Sequence, residues 1–363
     1  MKQVCLLCER HSPNLSLWCQ EVYCPAEASP YILDYGEWLG DIEIVKPVTV
    51  LRSSVIYEAT HQEETVLLKV AHAGSLNRDR LKREAEFLQK IQDDAPFNQY
   101  FPKLRPAYAF TTPDADPYGK AVLKGQMLYF YLFDHNEGEP LRDLLEKNPQ
   151  LWVNHIGWIM VSLTAAVQRL HQHGMFHFGL TPESILVHFD KKPNVPRLLL
   201  ADLGIVSDSQ NTGALWHHSF VPPAYTAPEL VDGPAHAYPA TDVYGMGIVL
   251  YEMLVGQPAF TYKIRSEADV YRAVRRDRRI GMNRLEDVRR VAEIAVQSTQ
   301  FQPGLRFQSV NELYAAIHGI FGDVPDPERG WWPSTRTMML VVAAMLAIAF
   351  LVLVAMSLTE IAA

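Results

Sequence analysis

The polar and apolar positions of this chain follow two rhythms, which predict short strands first and long helices afterwards. Runs rich in β-branched and apolar residues predict strands at Pro47–Leu51, Val55–Thr60 and Thr65–Ala71. A helix is predicted at Leu76–Ile91, and a longer one spans Trp152–His173 and is best interpreted as buried core. The apolar residues of the longer helix recur at helical spacing: Ile156, Ile159, Leu163, Val167 and Leu170.

The most apolar stretch lies near the C-terminus. Residues Thr337–Leu358 are uncharged and strongly apolar, and about twenty such residues suffice to cross a bilayer. Trp331 and Trp332 precede the stretch and suit the aromatic belt of a membrane interface, and Arg329 and Arg336 lie on the same side. The pattern predicts a single transmembrane helix, and the positive-inside rule places the preceding domains in the cytoplasm.

Composition limits the class of function. The chain has 363 residues, 48% of them hydrophobic, which is enough for a substantial core. Its 41 acidic residues outnumber 33 basic ones, for a net charge of -8. This balance argues against a general nucleic-acid binder, because such proteins carry a basic surface.

All four cysteines lie in the first 24 residues, as two close pairs: Cys5 with Cys8, and Cys19 with Cys24. Thiolates at this spacing can converge on one tetrahedral Zn²⁺, with no open coordination position, so the zinc would be structural. A disulfide-linked N-terminus or four unligated thiols are the alternatives. Disulfides need an oxidising compartment, and no apolar signal peptide opens the chain. The favoured prediction is a small zinc-ribbon-like segment.

One stretch in the middle of the chain carries a specific order of residues. His177-Phe-Gly-Leu-Thr-Pro-Glu-Ser184 follows the long helix, and Asp202-Leu-Gly204 follows a strand-like run. This order resembles the catalytic loop of eukaryotic-type protein kinases, H-R-D-L-x-x-x-N, and the D-F-G motif after it. The resemblance covers about residues 41–319. It implies an α+β, bilobal protein-kinase-like fold.

The positions that carry phosphoryl transfer in that family have changed. The catalytic aspartate corresponds to Gly179, and the metal-binding asparagine corresponds to Ser184. The lysine two residues after the aspartate corresponds to Thr181, and its activation-segment threonine partner corresponds to Pro222. Gly179 has no side chain to orient a substrate hydroxyl or accept its proton. Phe178 replaces the arginine that would receive an activation-loop phosphate, so switching by loop phosphorylation is not expected.

The nucleotide-binding positions are partly retained. Lys69 stands where the family lysine contacts the phosphates, and Glu84 stands where its ion-pairing glutamate belongs, so a salt bridge is predicted. Asp202 is either a ligand for nucleotide-borne Mg²⁺ or a turn residue. Leu67 replaces the small alanine beside adenine and would intrude on the pocket. Phe133 occupies the position that gates the space behind adenine.

Elsewhere the glycine-rich loop is lost, whereas the large-lobe frame is kept. Leu51–Ala59 holds no glycine in its turn, so its backbone cannot approach phosphates as closely. Ala227-Pro-Glu229 resembles the end of the activation segment, and Asp242 begins a stretch similar to the buried central helix. Arg306 falls where the family pairs an arginine with Glu229, so a buried ion pair is predicted.

These inferences divide the chain into segments. They are a zinc-ribbon-like segment at 1–30, a linker at 31–40, a kinase-like domain at 41–320 (small lobe about 41–133, large lobe about 139–320), a linker at 321–336, a transmembrane helix at 337–358 and a tail at 359–363.

Together with the predicted membrane span, the resemblance and the altered catalytic positions indicate a membrane-anchored, catalytically impaired pseudokinase that acts as a signalling scaffold or regulator. It is similar in arrangement to bacterial membrane Ser/Thr kinases, with structural zinc, protein partners and the cell membrane as expected associations. Two alternatives stay open: a divergent active Ser/Thr kinase that uses Mg-ATP, and an ATP-binding switch without turnover.

Overall fold

A computed structural model describes most of the chain, and the chain divides into a compact unit, Met1–Val324, and a second unit, Pro325–Ala363. The cysteines predicted to bind zinc and the predicted span at 337–358 lie outside the described residues, so both stay predictions. Within the described ranges, no helix combines the length and apolar character that a membrane crossing needs. The described residues are 2–4, 11–12, 31–94, 99–108, 115–191, 194–208, 210–233, 237–260, 267–276 and 288–326.

Two antiparallel sheets form the N-terminal part. Short strands β1 (Lys2–Val4), β2 (His11–Ser12) and β3 (Tyr31–Ile32) pair with one another. The small lobe is a seven-stranded sheet in the order β4-β5-β6-β7-β10-β8, with β9 also paired to β10. Helix α1 (Ser75–Asp94) packs against β7, β8 and β10. The sheet strands are β4 (Trp38–Leu39), β5 (Ile42–Val50), β6 (Ser54–His61), β7 (Glu64–Ala71), β8 (Leu104–Arg105), β9 (Gly119–Leu123) and β10 (Gln126–Asp134).

The linker predicted at 31–40 is wrong, because this segment belongs to the small lobe. Ile32 and Leu33 are buried, and β4 pairs with the start of β5. The first predicted strand, Pro47–Leu51, is correspondingly too short. Apolar residues at alternate positions of β5, Ile42 and Ile44, face the core and extend the strand five residues earlier than expected. The other two strands agree with their predicted bounds to within one residue.

The large lobe is mainly helical and carries a small three-stranded sheet. Its strands are β11 (Glu139–Pro140), β12 (Ile185–Phe189) and β13 (Pro196–Leu200), paired in that order. Its helices are α2 (Leu141–Lys147), α3 (Val153–Gln172), α4 (Thr212–Leu215), α5 (Pro228–Asp232), α6 (Pro239–Val255), α7 (Glu267–Val274), α8 (Arg289–Ser298) and α9 (Val310–Phe321).

Helices α3 and α6 form the centre of the large lobe. The predicted helix Trp152–His173 is confirmed as α3, one residue shorter at each end. Its five apolar positions at helical spacing are fully buried. Helix α6 is buried on nearly every face, from Ala240 to Leu254. These two helices provide a rigid base for the loops that follow α3 and precede α6.

Candidate functional site

A buried cluster of charges lies between the lobes. The Lys69 ammonium on β7 donates to both carboxylate oxygens of Glu84 on α1, at 2.8 and 2.6 Å. The predicted ion pair is therefore present. The same ammonium donates to Oδ1 of Asp202 at 2.6 Å. All three side chains are at most 5% exposed, so the cluster is shielded from water.

Arg80 is a fourth member of this cluster, and the sequence analysis missed it. Its Nη2 lies 2.7 Å from Oδ2 of Asp202, and its Nε donates to the carbonyl oxygen of Gly204 at 2.8 Å. Arg80 precedes Glu84 by four residues on α1, so both side chains leave the same helical face. The i,i+4 spacing with Glu84 could have indicated that Arg80 points towards the same cluster. It does not reveal that the partner of Arg80 is Asp202.

The cluster balances two cations against two carboxylates. Burial alone would raise the pKa of Asp202, but Arg80 and Lys69 outweigh burial and lower it to about 2. Burial raises the pKa of Glu84, and the charge of Lys69 opposes that rise. Each carboxylate oxygen of Asp202 already lies beside a cation, so the binding of a third cation there is unfavourable. The arrangement therefore does not fit Mg²⁺ unless Arg80 or Lys69 withdraws.

Ser184 does not supply a metal ligand in this arrangement. Its hydroxyl donates to the Thr181 carbonyl oxygen at 2.7 Å and accepts the Thr181 N–H at 3.3 Å. Ser184 and Thr181 thus cap the short 3₁₀ turn that begins at Pro182. Across the described ranges, no group of three or more His, Cys, Asp or Glu side chains is placed to hold a metal ion.

The position of the family's catalytic aspartate is closed by a neighbour. A Cβ atom on Gly179 would lie 3.0 Å from Cγ2 of Val221, a distance tighter than ordinary contacts. Val221 belongs to the activation segment and is 1% exposed. Pro222, at the family threonine position, follows it and accepts the Thr226 hydroxyl at 3.2 Å. Val221 therefore occupies space where a longer side chain on Gly179 would extend.

Apolar packing replaces the family's charged contact beside this loop. Phe178 has a φ of 51°, which is rare for a non-glycine residue. Its ring stacks on Phe176, with centroids 5.1 Å apart and planes at 10°. Both rings belong to an apolar cluster with Phe220, Val221 and other residues of the activation segment. This segment is held by hydrophobic contacts, which need no phosphate.

The segment in place of the glycine-rich loop is a tight hairpin between β5 and β6. The Leu51 N–H donates to the Ser54 carbonyl oxygen at 2.8 Å. His72 fastens the turn twice, with its N–H to Ser53 and its Nε2 to the Leu51 carbonyl oxygen, both at 2.8 Å. Burial lowers the pKa of His72 to about 4, so the ring is neutral near pH 7. These groups form hydrogen bonds within the hairpin and with His72 instead of with a ligand.

The hairpin also contacts the large lobe. Nη1 of Arg52 donates to Oε1 of Glu267, the first residue of α7, at 2.5 Å. The Thr49 hydroxyl donates to the Glu183 carbonyl oxygen at 3.4 Å. The side chain of Arg52 is 11% exposed, and that of Glu267 is 33% exposed. These contacts hold the two lobes together across the mouth of the cleft.

The side of the cleft that corresponds to the family's adenine position is lined by buried apolar side chains. Leu67 and Phe133 are direct partners on β7 and β10, and each is 1% exposed. Leu51 from the hairpin and Leu186 from the large lobe belong to the same continuous core cluster. The larger side chain at Leu67 therefore packs into protein, as its size implies.

The large-lobe frame is intact. The Asp242 carboxylate accepts the N–H groups of His177 and Phe178, at 2.9 and 2.7 Å, and lies 2.9 Å from Nε2 of His171. Burial opposes ionisation of Asp242, but the hydrogen bond from His171 and nearby imidazoles lower its pKa. Gly204 has a φ of 70°, and any side chain there would collide with the His177 backbone. Together these groups fix the loop backbone.

Two arginines anchor the rest of the frame. The Nη1 and Nη2 atoms of Arg306 donate to the two carboxylate oxygens of Glu229, at 2.7 and 2.8 Å. This confirms the predicted pair. Arg142, which the sequence analysis missed, donates its Nε to Glu183 at 2.6 Å and also pairs with Glu252. The Arg306 pair joins α5 to the segment before α9. The Arg142 contacts join α2 to α6 and to the loop at Glu183, and neither set needs a ligand.

Comparisons with known proteins agree with the kinase-like fold. The description "Protein kinase domain" matches residues 53–304, more than half of the chain. Serine/threonine-protein kinase PkaA of Streptomyces coelicolor is 32% identical over 140 residues, 38% of this chain and 25% of PkaA. Serine/threonine-protein kinase PknB of Mycolicibacterium smegmatis is 26% identical over 231 residues, 61% of this chain and 35% of PknB.

Two further matches point the same way. Serine/threonine-protein kinase AtPK2/AtPK19 of Arabidopsis thaliana is 27% identical over 242 residues, 65% of this chain and 45% of that protein. The chain thus spans less than half the length of these relatives. A mutant kinase domain of Mycobacterium tuberculosis PknI has the same fold, with a TM-score of 0.54 and 19% identity, covering 80% of this chain and 100% of that domain. This chain belongs to the protein kinase domain family.

Proposed function

We propose that this protein is a catalytically impaired pseudokinase that works as a membrane-anchored scaffold or regulator in signalling. The observation that carries the proposal is the closed ion cluster, in which Lys69 and Arg80 take both oxygens of Asp202. Phosphoryl transfer needs Mg²⁺ bound to the nucleotide phosphates. A carboxylate already paired with two cations is a poor partner for that metal.

The catalytic loop supports the same proposal. Gly179 supplies no base, and Val221 stands where such a side chain would extend. The hydroxyl of Ser184 is used within its own turn. Three separate requirements of transfer, namely the base, the metal ligands and the glycine-rich loop, are thus altered while the frame around Asp242 is kept.

An ATP-binding switch without turnover is the second candidate, favoured by the retained Lys69–Glu84 pair. Nucleotide binding would require Asp202 to exchange Arg80 for a metal ion. A divergent active Ser/Thr kinase is the third candidate, and the names of the relatives support it. Positioning and electrostatics supply most of the catalysis of phosphoryl transfer, so loss of the base alone does not abolish it.

A thermal-shift measurement separates the first two candidates. The full chain in detergent is heated with and without Mg-ATP at millimolar concentration. A site at about a hundred times its Kd would gain about 2.7 kcal/mol of stability, or several degrees. We expect no shift. A shift that requires Mg²⁺ and disappears in Asp202→Ala would show nucleotide binding and overturn the first candidate.

Phosphate transfer separates the third candidate from the others. The full chain is incubated with radiolabelled ATP and a protein substrate. We expect no label on protein above background. Label that is lost in Lys69→Met would establish an active kinase and overturn the scaffold proposal.

The membrane and zinc parts of the proposal rest on residues outside the described ranges. For the anchor, we expect the full chain to remain with membranes after alkaline extraction and a variant ending at Gly330 to be released. For the metal, elemental analysis should find one zinc per chain, lost when Cys5 and Cys8 are both changed to serine. Either expectation can fail without affecting the interpretation of the cleft.

A further inference from the structure

An exposed aromatic patch lies at the start of helix α3. The Trp152 patch, as we name it, consists of Trp152, His155 and Trp158. The centroid of the Trp152 ring lies 4.9 Å from that of His155 and 5.9 Å from that of Trp158, and both contacts are edge to face. The ring of Phe189, on β12, borders the patch at 5.1 Å from His155. Trp152 is 56% exposed, so the patch presents a large apolar surface to its surroundings.

The side chain of Trp152 does not serve the helix that it begins. Trp152 is the N-cap residue of α3, and its side chain makes no capping hydrogen bond. N-cap positions favour Ser, Thr, Asp and Asn, whose oxygen atoms accept the free N–H groups of the first turn. Burial lowers the pKa of His155, so this ring is neutral near pH 7 and the patch carries no charge. An exposed and uncharged aromatic patch is typical of an interaction surface.

The patch lies beside the place where the chain leaves the kinase-like domain. Helix α9 ends at Phe321, and a Cβ atom on Gly157, next to Trp158, would collide with the Phe321 ring. After Val324, the last residue of the compact unit, twelve residues lead to the predicted span at 337–358. A chain of twelve residues reaches about 40 Å when fully extended. The end of α9 and the surface of α3 beside it are therefore tethered close to the predicted bilayer.

We propose that the Trp152 patch rests in the headgroup region of the bilayer that anchors the chain. Tryptophan suits this region because its ring is apolar and its N–H can donate to water or to lipid oxygens. Removing the exposed part of the Trp152 ring from water provides affinity, and the tether keeps the patch at a high effective concentration near lipid. This inference rests on the membrane anchor of the proposed function and specifies which face of the domain contacts lipid.

Quenching of tryptophan fluorescence by brominated lipid tests the proposal on the full chain in phosphatidylcholine nanodiscs. Bromine atoms on the acyl chains quench only those indole rings that lie at or within the bilayer. Besides Trp331 and Trp332, which precede the predicted span, the proposal places the two indole rings of the Trp152 patch among those quenched. Trp152→Phe should therefore remove about a quarter of the bromine-dependent loss of fluorescence. Phenylalanine keeps an aromatic ring at this exposed position, so the variant should fold normally.

Trp38 provides the matched control. Its side chain is 54% exposed, nearly the same as that of Trp152, but it lies on β4 of the small lobe. Trp38→Phe should leave the bromine-dependent loss of fluorescence unchanged. Iodide, a quencher that stays in water, gives the complementary result. Quenching by iodide should decrease in Trp38→Phe and change little in Trp152→Phe, because lipid already shields Trp152 from water.

The two quenchers separate lipid from other occupants of the patch. An equal bromine-dependent loss in Trp152→Phe and Trp38→Phe would overturn the proposal. Shielding of Trp152 from both quenchers would also overturn it, because another protein surface, such as a second copy of the chain, would then cover the patch. A chain that stays in nanodiscs without quenching of Trp152 would lose only this contact. A chain that does not enter nanodiscs would overturn the membrane anchor as well.

Discussion

Two buried ion networks in this protein make an instructive comparison. In the large lobe, Arg306 and Glu229 form a closed pair that matches the family frame. Between the lobes, Lys69 and Glu84 form an equally buried pair, but Arg80 has joined Asp202 beside it. Both networks are neutral and shielded from water. Only the network around Lys69 and Asp202 lies where the family binds a ligand.

The difference separates architecture from chemistry. A structural pair is complete when its own charges are matched, because removing either partner strands a buried charge. A ligand site must instead keep a charge incompletely matched until the ligand arrives. In this structure Arg80 supplies that match at Asp202. The charges in the cleft are therefore matched by one another, as are those of the Arg306–Glu229 pair in the large lobe.

Breaking the frame pair should have the largest effect. Arg306→Ala leaves the Glu229 carboxylate buried without its bidentate partner, so we expect a loss of about 3–5 kcal/mol in the free energy of unfolding. Urea denaturation measures it. The matched control is Arg289→Ala on α8, whose side chain is 76% exposed and whose pair spans 3.9 Å. That change should cost less than about 0.5 kcal/mol.

Breaking the cleft network should cost less, because Lys69 still pairs with Asp202. For Arg80→Ala we expect a loss of about 2–3 kcal/mol in the free energy of unfolding. Magnesium chloride should recover part of this loss in the variant and do nothing for the unchanged protein. Arg78→Ala, at a more exposed position of α1, is the control. An absence of any magnesium effect in Arg80→Ala would show that the cluster does not mask a metal site.

The hairpin predicts a pH dependence. The pKa of His72 falls from an ordinary 6.5 to about 4 on folding, so between these values the unfolded chain binds the proton more readily. Stability should therefore fall as pH falls from 6.5 towards 4, with His72 contributing about 3 kcal/mol to the loss.

The variant His72→Gln isolates that contribution. Glutamine can still donate to the Leu51 carbonyl oxygen but does not titrate. The free energy of unfolding of the variant should change by about 3 kcal/mol less than that of the unchanged protein between pH 7 and 4. Parallel pH profiles would assign the acid sensitivity to other groups, such as His177, whose pKa burial also lowers.

The contact between hairpin and large lobe should give the smallest effect. Arg52→Glu should lower the free energy of unfolding by about 1 kcal/mol, because it places two carboxylates together. The double variant Arg52→Glu with Glu267→Arg restores opposite charges and should recover most of that loss. Lys46→Glu, which disrupts the pair between an exposed lysine of the preceding strand β5 and Glu58 of β6, is the control for general charge effects. No recovery in the double variant would contradict a direct bridge between the lobes.

Local patterns in the sequence predicted a large part of this fold. The spacing of apolar residues identified α3 to within one residue at each end, because burial of a helical face imposes that period. The order of motifs identified the partners Lys69 and Glu84, and Glu229 and Arg306. The prediction of a linker at 31–40 failed because the two strands there are short. Their alternation of apolar and polar residues is too brief to distinguish them from a loop.

The order of residues alone identifies which chemical groups are present: a glycine in place of the base, a serine in place of the metal ligand, and a hairpin without glycine. How the remaining groups pair with one another follows only from the folded arrangement. Arg80 meets Asp202 across 122 positions, and Arg52 meets Glu267 across 215. Such contacts leave no periodic signal along the chain, because they exist only once the two lobes have folded and packed together.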